Sequence, residues 1–195
     1  FRLHGSDSHA IPLAEVQPGI NYAVVLNTNG GLWRTIVGDT VEFTSVAPYR
    51  IRITGRTRLF INAFGEELMI DNAERAVAEA CRKTGALVDE YTAAPWWAPA
   101  GEAGGGHDWL LEFQTPPYSL EAFGAALDNA LKAANSDYEA KRYKNLVLRP
   151  PRIHAAPAGT FHNWLKSRGK LGGQNKVPRL MNDRSLMDEL LAARS

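Results

Sequence analysis

Tyr49-Arg-Ile-Arg-Ile-Thr-Gly-Arg-Thr-Arg-Leu-Phe-Ile-Asn-Ala-Phe-Gly-Glu-Glu-Leu-Met-Ile-Asp-Asn-Ala-Glu-Arg-Ala-Val-Ala-Glu-Ala-Cys-Arg-Lys-Thr-Gly85 changes its apolar period midway, and that change decides how the chain is organised. Tyr49, Ile51 and Ile53 alternate with arginines, the period of two that a half-buried strand shows. Gly55-Arg56 breaks the run, and a second short strand is expected from Leu59 to Phe64, stopping at Gly65. From Asn72 to Thr84 the pattern becomes Ala-rich and amphipathic, with Asp71 placed as an N-cap and Gly85 as a C-terminal stop. The natural boundary therefore lies between Gly55 and Arg58.

On the N-terminal side everything reads as β. Tyr22-Ala-Val-Val-Leu26 is an apolar run, Asn27-Thr-Asn-Gly-Gly31 supplies the residues of a tight turn, and Leu32 to Phe43 returns as a strand interrupted at Gly38-Asp39. On the C-terminal side strands and helices mix. Leu87 to Thr92 and Trp109 to Phe113 read as strands, joined through a long mobile hairpin loop from Trp96 to Gly106. Ser119 caps a helix reaching about Asn135, and Asp137 to Lys144 adds a further turn or two. Pro150-Pro151 interrupts a strand from Leu146 to Ala155 and so places it at a sheet edge. Thr160 caps a short helix from Phe161 to Arg168, and Asp183 to Arg194 closes the chain as a helix. The fold class predicted is α+β: a small antiparallel β piece over residues 1–55, then an α+β domain over 56–195 with a mixed or antiparallel sheet and flanking helices.

The 195 residues, 45% hydrophobic, suffice for one ordinary domain or a small one with an attached piece. The chain starts at Phe1 without a methionine, which reads as a fragment of a longer protein. No apolar run approaches the roughly 18 residues that would cross a bilayer, so a soluble cytoplasmic protein with no membrane partner is expected. Cys81, the single cysteine, can form no intramolecular disulfide, and its place on the apolar side of a helix suggests packing. Charge is uneven. Residues 1–140 hold 10 Lys and Arg against 18 Asp and Glu, whereas residues 141–195 hold 12 against 3. Such a basic segment suits an anionic partner: nucleotide phosphates, nucleic acid or an acidic neighbouring domain. Aromatic residues are not interleaved with the basic ones as a stacking platform needs, so nucleic acid is not the expected partner.

Three short segments could carry chemistry. Asp39, on a turn after an apolar strand, has two acceptor oxygens that can take both hydroxyls of a ribose. Arg56 offers a rigid guanidinium fork for ribose or phosphate oxygens. Gly172-Gly-Gln-Asn-Lys-Val-Pro-Arg179 is a polar loop presenting one ammonium, Lys176, which can neutralise charge developing on a phosphate oxygen. His107, His154 and His162 lack metal-ligand spacing and read as solvated or capping histidines, so no metal site is expected. Trp96-Trp97 reads as an anchor of the loop into a core, with a face toward substrate in a closed enzyme as the alternative.

Taken in order, these segments resemble a known family. Leu32-Trp-Arg-Thr-Ile-Val-Gly-Asp-Thr40 looks like the Tyr-Arg-(x)-Gly-Asp motif of adenylate-forming enzymes, and Gly55-Arg-Thr-Arg-Leu-Phe-Ile-Asn-Ala-Phe-Gly-Glu66 resembles their hinge motif. Gly-Gln-Asn-Lys-Val-Pro-Arg179 resembles their closing lysine motif. With Glu139-Ala-Lys-Arg-Tyr-Lys144, the wording is similar to bacterial members of the Gretchen Hagen family of acyl-acid-amido synthetases. The resemblance implies that residues 1–55 end a large N-terminal adenylating domain and that 56–195 form a closing lid. It further implies ATP and Mg2+ as cofactors, a carboxylic acid and an amino acid as substrates, and a missing N-terminal domain as partner. Asp39 would hold the ribose, Arg56 would support the ribose or phosphate region, Arg58 would be the hinge, and Lys176 the catalytic lysine. Many plant members carry a lysine after the glycine matching Gly65; this chain has Glu66-Glu67 there, and no phosphate contact carries over to that position. Coenzyme A ligases share the three motifs in general form, and a basic interaction module is the alternative outside the enzyme class.

Overall fold

The computed structural model describes residues 1–3, 9–56, 60–99, 101–145, 147–170 and 176–193. They form two compact units, Phe1–Phe60 with Met69–Asp71, and Ile61–Leu68 with Asn72–Ser195.

The first unit is an antiparallel sheet in the order β1 (Arg2–Leu3), β2 (Asn21–Leu26), β3 (Thr35–Val46) and β4 (Tyr49–Arg56). The turn expected at Asn27–Gly31 is present: Thr28 donates its N–H to the Leu32 carbonyl, and Gly31 takes φ +94°, which favours glycine. Val16, Tyr22, Val41 and Phe43 are buried together, with the rings of Phe1, Tyr22 and Phe43 meeting edge to face. Period-two alternation explains this: Val41 and Phe43 share one face of β3. In contrast to the half-buried strand expected, Ile51 and Ile53 of β4 are 56% and 72% exposed. The interruption expected at Gly38-Asp39 is a disturbance of pairing rather than a break, since β3 runs through it. Of the strand expected over Leu59–Phe64, β5 (Phe60–Ile61) is formed, joined with β6 (Leu68–Met69) in a two-stranded ribbon.

The second unit is built on a mixed sheet. β7 (Leu87–Trp97) runs antiparallel to β8 (Gly105–Thr115), and β9 (Arg152–Ala156) lies parallel to β8 at the edge, where the proline pair predicted it. Beyond β7, Leu180 bridges Ala93 in parallel. β8 is buried from Gly105 to Glu112 because both of its faces are covered. On one face, Ala94 and Leu110 pack with Phe161 of α4 (Thr160–Ser167), Val177, and Leu186, Met187 and Leu190 of α5 (Ser185–Ala192). On the other, α2 (Leu120–Ala134) lies against β9 so closely that a Cβ on Gly124 would sit 3.1 Å from Ile153. α1 (Ile70–Thr84) buries Ala73, Ala76, Val77 and Ala80, and α3 (Ser136–Arg142) buries Tyr138 and Arg142. The α+β class with a mixed sheet and flanking helices is what the chain forms.

Helix ends follow local chemistry. Ser119 accepts the Ala122 N–H and Asn135 accepts the Tyr138 N–H, each a side-chain N-cap. α1 starts one residue before Asp71, which therefore sits in the first turn, where its charge suits the helix dipole. Thr160 does not cap α4; its hydroxyl donates to the Pro157 carbonyl, while the Glu112 carboxylate accepts the N–H groups of Gly159 and Phe161. Asp183 precedes α5 and accepts the Ser185 N–H at 3.0 Å.

The largest departure is the Trp96–Gly106 segment. Instead of a long loop, β7 runs to Trp97 and β8 starts at Gly105, pairing Trp96 with Gly106 and Trp97 with Gly105. Three consecutive glycines read as flexibility, but here two of them make room. A Cβ on Gly105 would come within 2.1 Å of the Trp96 carbonyl oxygen and 2.5 Å of the Phe64 ring, and one on Gly106 would meet the Trp96 indole at 2.7 Å. Gly105→Ala should therefore lower stability by about 1–3 kcal/mol through forced displacement of backbone. Urea unfolding of the two chains checks this; an unchanged midpoint would show that the close approach is not required.

Candidate functional site

In the first unit, β2 and β3 pair as Ala23 with Thr40 and then as Val25 with Ile36, so Val37, Gly38 and Asp39 oppose Val24 alone. Gly38 takes φ +95°, a left-handed conformation that lets the strand bulge there. On its other side β3 stays paired with β4, and Asp39 lies directly opposite Arg56, with Thr40 opposite Gly55. Two residues singled out separately in sequence are thus cross-strand partners. The base of this pair is braced by the Thr54 hydroxyl, 2.6 Å from Asn21 Oδ1 and 3.0 Å from the hydroxyl of buried Thr40. Arg58 and Gly172 to Asn175 lie outside the described residues.

In the second unit, Lys176 is exposed and the residue after it is anchored. Val177 is buried in the α4–α5 cluster, the Pro178 carbonyl accepts the Thr92 hydroxyl at 2.7 Å, and the Arg179 carbonyl accepts the Ala93 N–H at 2.9 Å. Met181 returns its N–H to the Ala93 carbonyl at 3.0 Å, so residues 178–181 hold to the edge of β7 through one parallel bridge at Leu180. The ammonium that the sequence singled out therefore projects from the start of a fixed segment.

The turn after β5 holds residues that sequence reasoning missed. Gly65 has φ +81°, and Lys141 of α3 comes so near that a Cβ on Gly65 would sit 3.2 Å from its Nζ. Thus an ammonium stands at this turn although Glu66-Glu67 follow the glycine. Glu66 is fully buried: its carboxylate accepts the Phe64 N–H at 2.7 Å and lies 2.8 Å from His107 Nε2, while Asn135 donates to the carbonyls of Glu66 and Glu67. Burial works to raise the Glu66 carboxyl, but the hydrogen bond and charge of His107 outweigh it and hold it below the usual range. His107, expected as a solvated or capping residue, is in the core between the Phe64 and Tyr138 rings. His154 departs from the same expectation, pairing through Nε2 with buried Asp108 at 3.0 Å. Burial pushes the Asp108 carboxyl up, and His154 together with Arg184, 2.7 Å away, brings it below its ordinary value. The sequence signal for both pairs was slight: two adjacent polar residues, His107-Asp108, just before the apolar run Trp109-Leu-Leu111.

The basic tail also finds its partners at home. Arg142 pairs with Asp128, Arg149 with Glu102, Arg168 with Glu189, Arg179 with Glu74 and Glu90, and Arg184 with Asp108 and Asp188. Arg152 stacks on the Trp96 ring, its guanidinium carbon 3.3 Å from the centroid. Trp96 is packed and Trp97 is 54% exposed. Much of the tail's arginine charge is thus paired within the second unit; of the residues that could lend a basic field, Arg149, Arg152, Lys166, Lys170 and Lys176, Arg149 meets a carboxylate and Arg152 an aromatic ring. Among the described residues no three His, Cys, Asp or Glu side chains converge as a metal site, so the residues here do not fit a magnesium cage. No described helix is long and apolar enough to cross a membrane.

The first unit thus carries Asp39 on a bulged antiparallel sheet, and the second presents Lys176 at the start of a segment anchored beside a mixed sheet. The chain belongs to the GH3 family: residues 71–185 match the GH3 family C-terminal domain, and residues 2–56 match the GH3 family central domain. Among its relatives is an indole-3-acetic acid-amido synthetase, GH3.3, of Arabidopsis thaliana, 28% identical over 96% of this chain and 33% of its own length. Another is the indole-3-acetic acid-amido synthetase GH3.8 of Oryza sativa subsp. indica, 28% identical over 90% of this chain and 31% of its own length. This chain therefore spans about a third of the relatives it matches. In three dimensions it is similar to the GH3.15 acyl acid amido synthetase, with TM-score 0.70 at 18% identity over 94% of this chain and 35% of that one. The same synthetase in complex with 2,4-DB gives TM-score 0.68 at 17% identity, over 94% and 34% of the two chains.

Proposed function

We propose that this chain is the C-terminal part of an ATP-dependent acyl-acid-amido synthetase of the adenylate-forming type, with wording nearest its bacterial members and a cytoplasmic setting. In this reading residues 1–55 end the large adenylating domain, residues 56–195 form its lid, and Arg58 is the hinge between them. The observation that carries the reading is the register placing Asp39 of the Gly-Asp motif opposite Arg56 of the hinge motif. Such a pairing sets the two backbone positions side by side, from which the Asp39 carboxylate would take ribose hydroxyls and Arg56 would serve the phosphate side.

The reaction has two steps. A carboxylate oxygen of the acyl acid attacks the α-phosphorus of ATP, the bond to the β-phosphate's bridging oxygen breaks, and pyrophosphate leaves. The amine of an amino acid then attacks the acyl carbon, the bond to AMP breaks, and the amine's proton is lost to solvent. Lys176 stabilises the charge that builds on the phosphate oxygens in the first step. Rotation at Arg58 exchanges lid positions between steps, a gate of the kind that often limits turnover. Magnesium would enter with ATP.

The test is pyrophosphate release by the full-length protein across a grid of carboxylic acids, with amino acids or coenzyme A as acceptor. Acid-dependent release followed by amino-acid-dependent AMP formation is expected. Release followed by thioester formation alone would make it a coenzyme A ligase, and absence of release with every acid would overturn the reading.

A further inference from the structure

Lys176 is followed three residues later by Arg179, whose side chain is fixed from two elements at once. Its Nε donates to Glu90 Oε1 on β7 at 3.0 Å, and its Nη1 donates to Glu74 Oε1 on α1 at 2.7 Å. The guanidinium carbon also lies 5.1 Å from the centre of the Tyr91 ring. Burial works to lower the Arg179 pKa, and Glu90, Tyr91 and Glu74 outweigh it, so the group stays charged. Its own backbone carbonyl is held by Ala93.

We infer that Arg179 is a positioning residue for Lys176: the Glu74–Arg179–Glu90 clamp sets where the lysine's backbone starts, and hence where its ammonium reaches. The inference rests on the role proposed for Lys176. Arg179 touches neither substrate nor reacting atoms in this account, and acts through the chain direction alone. Three residues span at most about 10 Å, so a rotation of the anchored end is carried directly to the lysine. Misplacing a reacting group by about 1 Å can cost on the order of 100-fold in rate. By contrast, ion pairs with partly exposed side chains contribute little to global stability. Arg179 is 37% exposed at its side chain and Glu74 is 53% exposed, so the two effects separate. A lysine at 179 carries the charge on a single ammonium and lacks the fork that reaches both carboxylates.

The experiment uses the full-length protein, measuring single-turnover acyl-adenylate formation with Arg179→Ala, Arg179→Lys, Lys176→Ala and the double variant Lys176→Ala with Arg179→Ala. Arg179→Ala is expected to slow adenylation about 10- to 100-fold with the KM for ATP nearly unchanged. Its unfolding temperature should move by no more than about 4 °C. Arg179→Lys should recover part of the rate, and Glu74→Gln should reproduce part of the loss. The deciding readout is coupling. If Arg179 works through Lys176, adding Arg179→Ala to Lys176→Ala costs nothing further. Fully additive losses, or a normal rate in Arg179→Ala beside a slow Lys176→Ala, would overturn the inference while leaving the lysine's role intact. A normal rate in Lys176→Ala would overturn both.

Discussion

Replacing Lys176 with alanine in the full-length protein should slow acyl-adenylate formation about 10²- to 10³-fold while ATP affinity holds. The argument is one of differential binding. In the ground state ATP is held by many contacts, among them the ribose contact proposed for Asp39, and one ammonium adds little. As the carboxylate attacks, negative charge concentrates on oxygens around the α-phosphorus, and a preplaced cation then matters most. The loss corresponds to about 2.7–4 kcal/mol of transition-state stabilisation, the range seen when one such electrostatic partner is deleted. The lysine is suited to this because its side chain is exposed while Val177 beside it is buried, so the ammonium can reach outward from a fixed root. Rapid quench with labelled ATP measures adenylate formation, and equilibrium binding measures ATP affinity separately. A variant that adenylates at the parent rate would refute the assignment; one that merely binds ATP less tightly would place Lys176 in ground-state binding.

Asp39 and Arg56 were each legible in the sequence, though not as partners, and the register shows how they come to be paired. Counting outward from the hairpin, Val46 faces Tyr49, and the offset introduced between Phe43 and Ser45 is undone between Thr40 and Val41. The two irregularities cancel, so simple counting from the turn reaches the right partner. The change of period at Asp71 was equally plain, because an Ala-rich helix buries its small residues at helical spacing. What sequence reasoning missed was set by tertiary partners. Gly104-Gly-Gly106 carries no sign that Trp96 and Phe64 must approach its backbone, and so it read as a loop. Arg149, Arg168, Arg179 and Arg184 look like a basic surface until the fold brings Glu102, Glu189, Glu74 and Asp108 beside them. Glu66 follows a glycine in a polar turn, the usual setting of an exposed carboxylate; only the closeness of His107, far along the chain, buries it.

That buried pair carries the second large effect. Glu66→Ala should destabilise the second unit by about 3–5 kcal/mol, the cost of removing one partner from a buried, hydrogen-bonded pair. Both side chains are wholly shielded from solvent, and deleting the carboxylate strips His107 Nε2 and the Phe64 N–H of their acceptor together. The pH dependence follows from the direction of the Glu66 shift. Because its carboxyl is held below the ordinary value of 4.5, its contribution is fully present above that pH and is lost as pH falls through the lower folded value. Urea unfolding at pH 7 should therefore show the full gap between parent and Glu66→Ala, and the gap should shrink in acid. Glu66→Gln, which keeps an oxygen acceptor but no charge, should lie between them and lose most of the acid dependence. Replacing the pair together, Glu66→Leu with His107→Phe, should recover part of the loss, since it removes the orphaned imidazole and leaves the Phe64 N–H as the polar group still lacking its acceptor. A Glu66→Ala midpoint equal to the parent's at neutral pH would mean that the turn after Gly65 is held by Asn135 and its backbone alone, and that the carboxylate contributes nothing to the fold.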